Sequence, residues 1–371
     1  MPPIERCCAV VGVQPPPLHG QSAMNARMAR LLRERGIAAV VIDVAVHKRC
    51  NRAEFLLRRL GRMVAGNLRL WAAMRGARTG AVYVALSGGW GQVVDLSFFL
   101  TARLLGARVV VHHHSFAYLD RHSALAALVL RIAGRGATHV ALCGLMKTRL
   151  QTLYGKDLET VTVPNAALLR LPDTAVERPA VRVVSFLSNV SREKGILMFL
   201  DLAARMRDSG LRFQIGGPIA DRAVKKNVLA ALEALPNLAY AGPVYGIRKA
   251  RFLAASDVLV FPSQYRNEAD PLVIHEALAY GTPVIATDRG CVPSILQGGA
   301  GLVAGRAEDF AATAAEQLRA WQQDDQSFRT ASFCARQRCQ ELRGLYRNAS
   351  ERLFELMDAR CSPGTIFVHA G

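Results

Sequence analysis

The feature that most constrains this chain is a rhythm. Short apolar runs rich in Val, Ile and Ala alternate with longer stretches of helical periodicity, and the alternation happens twice. Such a pattern belongs to βαβ units, whose parallel strands are covered on both faces. It predicts strands near 9–13, 38–44, 81–86, 108–112 and 139–142 in the first half. In the second half it predicts strands near 182–187, 212–215, 238–241, 258–261 and 283–286, with helices continuing to about 358. Between the halves, the stretch 166–180 carries Pro172, Pro179 and mixed charge, the composition of a linker. A length of 371 residues fits two such cores better than one. The expected organisation is α/β, with doubly wound domains over 1–168 and 169–345 and a C-terminal helix and tail over 346–371 packing back on the first domain.

The charge balance narrows the partners. Lys plus Arg number 47 against 29 Asp plus Glu, a net of +18, which favours polyanions: nucleic acid, nucleotide phosphates or anionic lipid headgroups. The surplus is concentrated between His47 and Gly80, where nine basic residues face one acid, Glu54. Apolar Phe55, Leu56, Leu60, Met63, Val64, Leu68, Leu70 and Trp71 are mixed among those arginines, a combination suited to a helix lying on an anionic membrane. The plainer reading is a surface helix whose arginine stems cover the core. No apolar stretch is long enough to cross a bilayer, and the start of the chain lacks the basic lead-in and cleavage site of a signal peptide, so a cytoplasmic location is expected. The eight cysteines include no CxxC pair, which gives no sign of a zinc site or a disulfide framework, and Cys7 and Cys8 read as core residues of the first strand.

In open parallel sheets, ligands sit beyond the carboxyl ends of the strands, so the chemistry is sought in the loops that follow them. The most informative is the stretch 267–286. Asp270 can cap a helix, Pro271 suits its first position, Gly281 suits a left-handed end, and Pro283 forbids continuation. The free amides of Leu272 and Val273 then form an anion site of the kind that holds a diphosphate. Glu268 precedes this helix and Glu276 lies in its early turns, so two carboxylates could accept hydrogen bonds from paired hydroxyls, one from a ribose and one from a sugar ring.

This Glu-x7-Glu arrangement resembles the motif of glycosyltransferase family 4, retaining enzymes of the two-domain GT-B fold, in which two Rossmann-like domains face each other across a cleft. The resemblance implies that Glu268 contacts the donor sugar, Glu276 the ribose, and the Leu272–Val273 amides the diphosphate. The commoner Glu-Gly-Phe-Gly form is here Glu268-Ala269-Asp270-Pro271, which loses one amide and sets Asp270 near the phosphates. Lys194, in the loop 188–195, resembles the family's phosphate-neutralising lysine. Arg192 is the companion cation, because Asn189 stands where an arginine is commoner in the family.

Three weaker elements complete the resemblance. Gly20, in the loop 15–22, matches a glycine turn near the phosphates and acceptor, with Ser22 a candidate cap for a helix from about 23. His113 or His114, in the run 112–114, matches a histidine placed against the donor sugar, with a buried structural histidine the alternative. Three consecutive strand side chains alternate faces and cannot converge on one ion, so a metal is disfavoured. Val244, in the turn 242–244, matches a backbone contact to the nucleotide base.

The expectation is thus a hexosyltransferase using a UDP- or GDP-sugar, without cofactor or metal, since no Asp-x-Asp sequence occurs. The acceptor implied is a saccharide or lipid-linked saccharide in bacterial surface polysaccharide or glycolipid synthesis. The protein would be peripheral on the inner face of the cell membrane through 47–80. A nucleotide-sugar epimerase, a scaffold, or a nucleic-acid-binding protein remain the alternatives, although the basic stretch lacks an aromatic stacking platform for bases.

Overall fold

The structure, a computed structural model, describes residues 4–16, 19–46, 51–75, 77–172, 176–219, 221–305 and 309–358. The chain divides into two compact units: residues up to Pro164 together with the segment from Tyr346, and Asn165–Leu345.

The first unit holds one parallel sheet of six strands: β1 Ile4–Gly12, β2 Ala38–Asp43, β3 Ala77–Leu86, β4 Arg108–His113, β5 Thr138–Ala141 and β6 Thr160–Thr162. Their spatial order is β2-β1-β3-β4-β5-β6. The central strands are apolar without alternation, because helices cover both faces. Cys8, Val10, Val82, Val84 and Val110 have no exposed surface. Helices Gly20–Glu34, Arg52–Arg75, Gln92–Leu104, Ala124–Ala133 and Gly144–Tyr154 connect the strands. The C-terminal helix Arg347–Asp358 packs on β1, β3 and β6 of this sheet. Arg35 fastens it, with Nη2 2.6 Å from Glu351 and the guanidinium 3.8 Å over the Phe354 ring.

The second unit repeats the plan with β7 Val183–Leu187, β8 Arg212–Gly216, β9 Leu238–Tyr240, β10 Val258–Phe261, β11 Val284–Thr287 and β12 Gly301–Ala304. The order is β12-β11-β10-β7-β8-β9, all parallel. The chain runs outward from β7 through β8 and β9, then returns to β10 on the other side and runs outward again. This reversal makes the β7/β10 pair a topological switch point, the crevice where doubly wound sheets bind ligands. In the first unit the same reversal falls between β1 and β3.

Each sheet has one strand more than the sequence rhythm predicts. β6 and β12 are edge strands of three and four residues; β6 reads Thr-Val-Thr and β12 is set among Gly298, Gly299 and Gly301, so neither stands out as an apolar run. β12 is admitted by Gly301, where a side chain would collide with the Val284 carbonyl. The segment expected as linker begins instead with a short helix, Asn165–Leu168. Arg178 then anchors it to the second unit, 3.1 Å from Asp257 and 3.3 Å from the Leu253 and Ala254 carbonyls. The residues 47–50 and 76 of the basic stretch lie outside the described residues.

Candidate functional site

Two loops leave the carboxyl ends of the switch-point strands β7 and β10, and they are built to touch. Gly195 adopts φ +83°, and a Cβ there would drive into the Pro262 carbonyl oxygen. Gln264 N–H donates to the Glu193 carbonyl at 2.8 Å, tying the loops together. This contact brings Lys194 to Glu268, Nζ to Oε2, at 2.5 Å. Ser263 Oγ donates to the same oxygen at 2.7 Å, and the ammonium also lies 4.5 Å from the Tyr265 ring centroid. The Glu268 carboxylate is therefore aimed by a cation and a hydroxyl from both loops, while 19% of the Lys194 side chain remains exposed. Below it, Thr287 Oγ1 donates to the Ser263 carbonyl and Arg289 Nε to the Tyr265 carbonyl, so β11 braces the turn.

The helix after Glu268 runs Leu272–Ala279, with Pro271 as its N-cap and Gly281, at φ +69°, just past its end. This corrects the expected start by one residue, and it corrects the role of Asp270. The Asp270 carboxylate neither caps the helix nor faces the amides at its start. It is turned inward, accepting from Asn165 N–H at 2.6 Å and meeting His275 Nε2 at 2.5 Å, while Asn165 Nδ2 donates to the Asp270 carbonyl at 2.8 Å. With no exposed side-chain surface, its charge is spent inside the unit, locking the entry of the helix to the first residue after the unit boundary. The amides of Leu272 and Val273 occupy the first turn, where no intrahelical acceptor exists.

Glu276 is half-buried in the same helix and has a cation that the sequence did not announce. Lys249, on helix Gly246–Ala254, brings Nζ within 2.7 Å of Oε1 and 2.5 Å of Oε2. Asn189 and Arg192 are exposed in the loop after β7. Val244 is buried beneath the turn after β9, its side chain against Gly216, so only its backbone is available to a ligand. Asn189, Arg192, Val244, Lys194, Glu268 and Glu276 all belong to the second unit, with the last four side chains fixed by packing or ion pairs.

The candidates in the first unit are less sharply defined. Gly20 is the first residue of its helix, capped by His19, whose Nδ1 accepts from Ser22 N–H at 3.3 Å while Ser22 Oγ accepts from His19 N–H at 3.0 Å. Ser22 is thus the third helical residue of a capping box, and the helix starts three residues earlier than expected. A side chain at Gly20 would meet open space. The three histidines alternate faces as their strand requires. His112 pairs with the Tyr83 hydroxyl. His113 has no exposed surface, and both ring nitrogens are engaged, Nδ1 with the Tyr118 hydroxyl at 2.8 Å and Nε2 with His139 at 3.1 Å. Burial pushes the His112 and His113 imidazoles well below their usual range and His139 down to about 4. His113 is thus held within its own unit, while His114 is partly exposed.

Sequence reasoning also passed over the loop after β3, Ser87-Gly-Gly-Trp-Gly91, at the switch point of the first unit. Asp95 accepts from Ser87 N–H at 2.8 Å, its carboxyl pushed up to about 7 by burial. Gly91 sits where a Cβ would strike Ser87, and Trp90 stands 82% exposed. The Gly-Gly-Trp-Gly run was the available signal. Among the described residues, no cluster of three His, Cys, Asp or Glu side chains could hold a metal ion, and no helix is long and apolar enough to cross a membrane.

Comparison with known proteins follows this division. Residues 181–322, within the second unit, match the family described as Glycosyl transferases group 1. No curated protein matches the chain in sequence. Among solved structures, Anabaena Alr3699/HepE in complex with UDP superposes with TM-score 0.69 at 15% identity, covering 94% of this chain and 99% of that one. Sucrose-phosphate synthase from Thermosynechococcus elongatus gives 0.70 at 17% identity, with 95% and 98% covered. A glycosyltransferase from Rickettsia africae gives 0.68 at 13%, with the same coverages. At such identities the likeness establishes architecture: the chain has the two-domain α/β fold of GT-B glycosyltransferases, with the group 1 match confined to its second unit.

Proposed function

We propose that the protein is a retaining, metal-independent glycosyltransferase of family 4 type that moves a hexosyl unit from a UDP- or GDP-sugar to an acceptor hydroxyl. The observation that carries this reading is the meeting of Lys194 and Glu268 at the β7/β10 switch point. That the Anabaena neighbour was solved with UDP and with UDP-glucose supports it.

In this reading the second unit binds the donor. Glu268 accepts hydrogen bonds from sugar hydroxyls, Glu276 from the ribose, and the Val244 backbone meets the base. The Leu272 and Val273 amides, at the positive end of their helix, hold the diphosphate. Lys194, with Arg192 beside it, neutralises the charge that develops as the anomeric carbon–oxygen bond breaks. The acceptor oxygen bonds to the anomeric carbon from the face the diphosphate leaves, and its proton passes to the departing phosphate oxygen, so configuration is retained. Asp270 takes no part in binding the donor, and of the two histidines only His114 can approach the sugar.

The same reading makes the acceptor a lipid-linked saccharide, as in bacterial surface polysaccharide or glycolipid synthesis, and the protein peripheral on the cytoplasmic face of the membrane. Support comes from helix Arg52–Arg75. It packs inward through Gly66, Leu70 and Met74, yet Leu57, Leu60, Val64 and Leu68 stand 50–70% exposed at helical spacing. Arginine stems do not cover these side chains, and Arg58, Arg62 and Arg69 run along the flank. An apolar stripe bordered by cations fits an anionic bilayer surface.

Transfer from a panel of UDP- and GDP-sugars to lipid-linked acceptors tests the function. Glu268→Ala and Lys194→Ala should each lose at least about 10²-fold in kcat with unchanged circular dichroism. Wild-type turnover by either variant would refute the assignment. Release of an epimerised nucleotide sugar without acceptor would replace transfer by epimerisation.

A further inference from the structure

Glu276 has an ion pair of its own, and nothing in the reading above uses its partner. We infer that Lys249 is a positioning residue for the donor's ribose, setting the Glu276 carboxylate and linking it to the loop that meets the base. The inference rests on Glu276 as the ribose acid.

The geometry is specific. Lys249 Nζ spans both Glu276 oxygens, at 2.7 and 2.5 Å, with the Lys249 and Glu276 side chains 30% and 24% exposed. The ammonium removes the rotamer freedom a glutamate otherwise has, and with Oε2 buried a ribose would be met through the acceptor positions the carboxylate keeps, about four in all before the lysine takes its share. Lys249 lies one turn into helix Gly246–Ala254, which is anchored one turn further on, along the side that carries Lys249, by buried Phe252 and Leu253. That helix follows directly from the turn after β9, with Val244 beneath it and Gly242 and Gly246 at φ +73° and +53° shaping it. Base loop, lysine and ribose acid thus form one mechanical chain: a shift of the loop on base binding moves the ammonium that aims Glu276. Tyr280, one turn beyond Glu276, is the other titratable neighbour; burial and then the Glu276 charge push its hydroxyl up, so it stays a neutral donor beside the pair. The pair is partly open to solvent, which limits its contribution to folding, and the nucleotide-binding readout separates the positioning role from stability.

The test compares ribose with deoxyribose. Binding of UDP, GDP and their 2′-deoxy counterparts is measured by calorimetry for the wild type, Lys249→Met, Lys249→Arg and Glu276→Gln. Wild type should prefer one ribonucleotide over its deoxy form by about tenfold. Lys249→Met should weaken that ribonucleotide about five- to tenfold, collapse the ribose/deoxyribose ratio toward unity and leave the melting temperature unchanged. Lys249→Arg should recover most of the ratio, and Lys249→Met should add nothing in the Glu276→Gln background. A Lys249→Met protein that binds and discriminates as wild type does overturns this inference alone. A wild type that binds neither nucleotide overturns the donor reading, and this inference with it.

Discussion

The two units share a plan, six parallel strands reversing direction once, yet differ in what the reversal holds. At β7/β10 in the second unit, two loops meet around a lysine and a carboxylate that remain partly open to solvent. In the first unit, polar groups near the strand ends are consumed internally. His113 is bound to Tyr118 and His139, and Asp95 to Ser87, while exposed apolar side chains occupy the helices outside. Sheet topology supplies a place for chemistry; whether charge stays available there depends on a few loop residues. A site reads as a site when its ionic groups are positioned but not exhausted.

The contrast can be broken most sharply at Gly195. Gly195→Ala must either strain a left-handed backbone or push the β7 loop off Pro262, separating Lys194 from Glu268. Stability should fall by about 2–4 kcal/mol and donor-dependent transfer should vanish, measured by urea unfolding and turnover. A variant as stable and active as wild type would mean the two loops do not depend on their contact.

Next is the Asp270 lock. Asp270→Ala leaves the Asn165 amide and His275 without their buried acceptor, a loss of about 1–3 kcal/mol. If Asp270 serves structure alone, the Kd for the donor should change little once measurements are made well below the lowered melting temperature. A large loss of affinity in a fully folded variant would return Asp270 to the binding site.

The first unit should be the acid-sensitive one. His112, His113 and His139 are held below their usual range by burial, so the unfolded chain binds protons near pH 6.5 that the folded chain refuses. Their contribution is complete above about pH 6.5 and drains away as pH falls toward 4. Asp95, raised to about 7, acts oppositely and gains as pH falls through 7. Three histidines outweigh one aspartate. Acidification from pH 7 to 5 should therefore lower stability, by about 1.4 kcal/mol per pH unit for each unbalanced proton at most. Hydrogen-exchange protection at β4 and β5, corrected for the intrinsic rate at each pH, should fall in step, and His139→Gln should flatten the dependence. Protection that does not change with pH would show these rings protonating freely in the folded state.

The smallest effect on the isolated protein concerns helix Arg52–Arg75. Leu60→Glu with Val64→Glu, both already exposed, should alter stability by less than about 0.5 kcal/mol. The same pair should abolish salt-sensitive flotation with anionic vesicles. Flotation unchanged by the substitutions, or absent from the wild type, would remove the membrane from the account.

Legibility in the sequence followed the same division. The helix after Glu268 was readable because its signals are local: Pro near the start, Gly at the end, acids at fixed spacing. Its N-cap was misplaced by one residue because the competing partner of Asp270 is Asn165, 105 residues away, and no local pattern carries such information. Lys249 escaped notice for the same reason, since the helix bearing it looks like any basic surface helix until the fold brings Lys249 against Glu276, 27 residues away. The edge strands β6, Thr-Val-Thr, and β12, set among Gly298, Gly299 and Gly301, lack an apolar run, whereas β9, equally short, was readable. Of the histidine run, strand alternation was legible, but the partners that bury His113 lie on β5 and in the loop after β4.

The central claim is that Lys194 and Glu268 together hold a sugar diphosphate, and thermal unfolding with a panel of UDP-, GDP- and ADP-sugars tests it most directly. One donor at about 100 times its Kd should stabilise the wild type by about 2.7 kcal/mol, and Lys194→Ala and Glu268→Ala should each lose most of that gain. Equal stabilisation of all three proteins, or none by any donor, would contradict it.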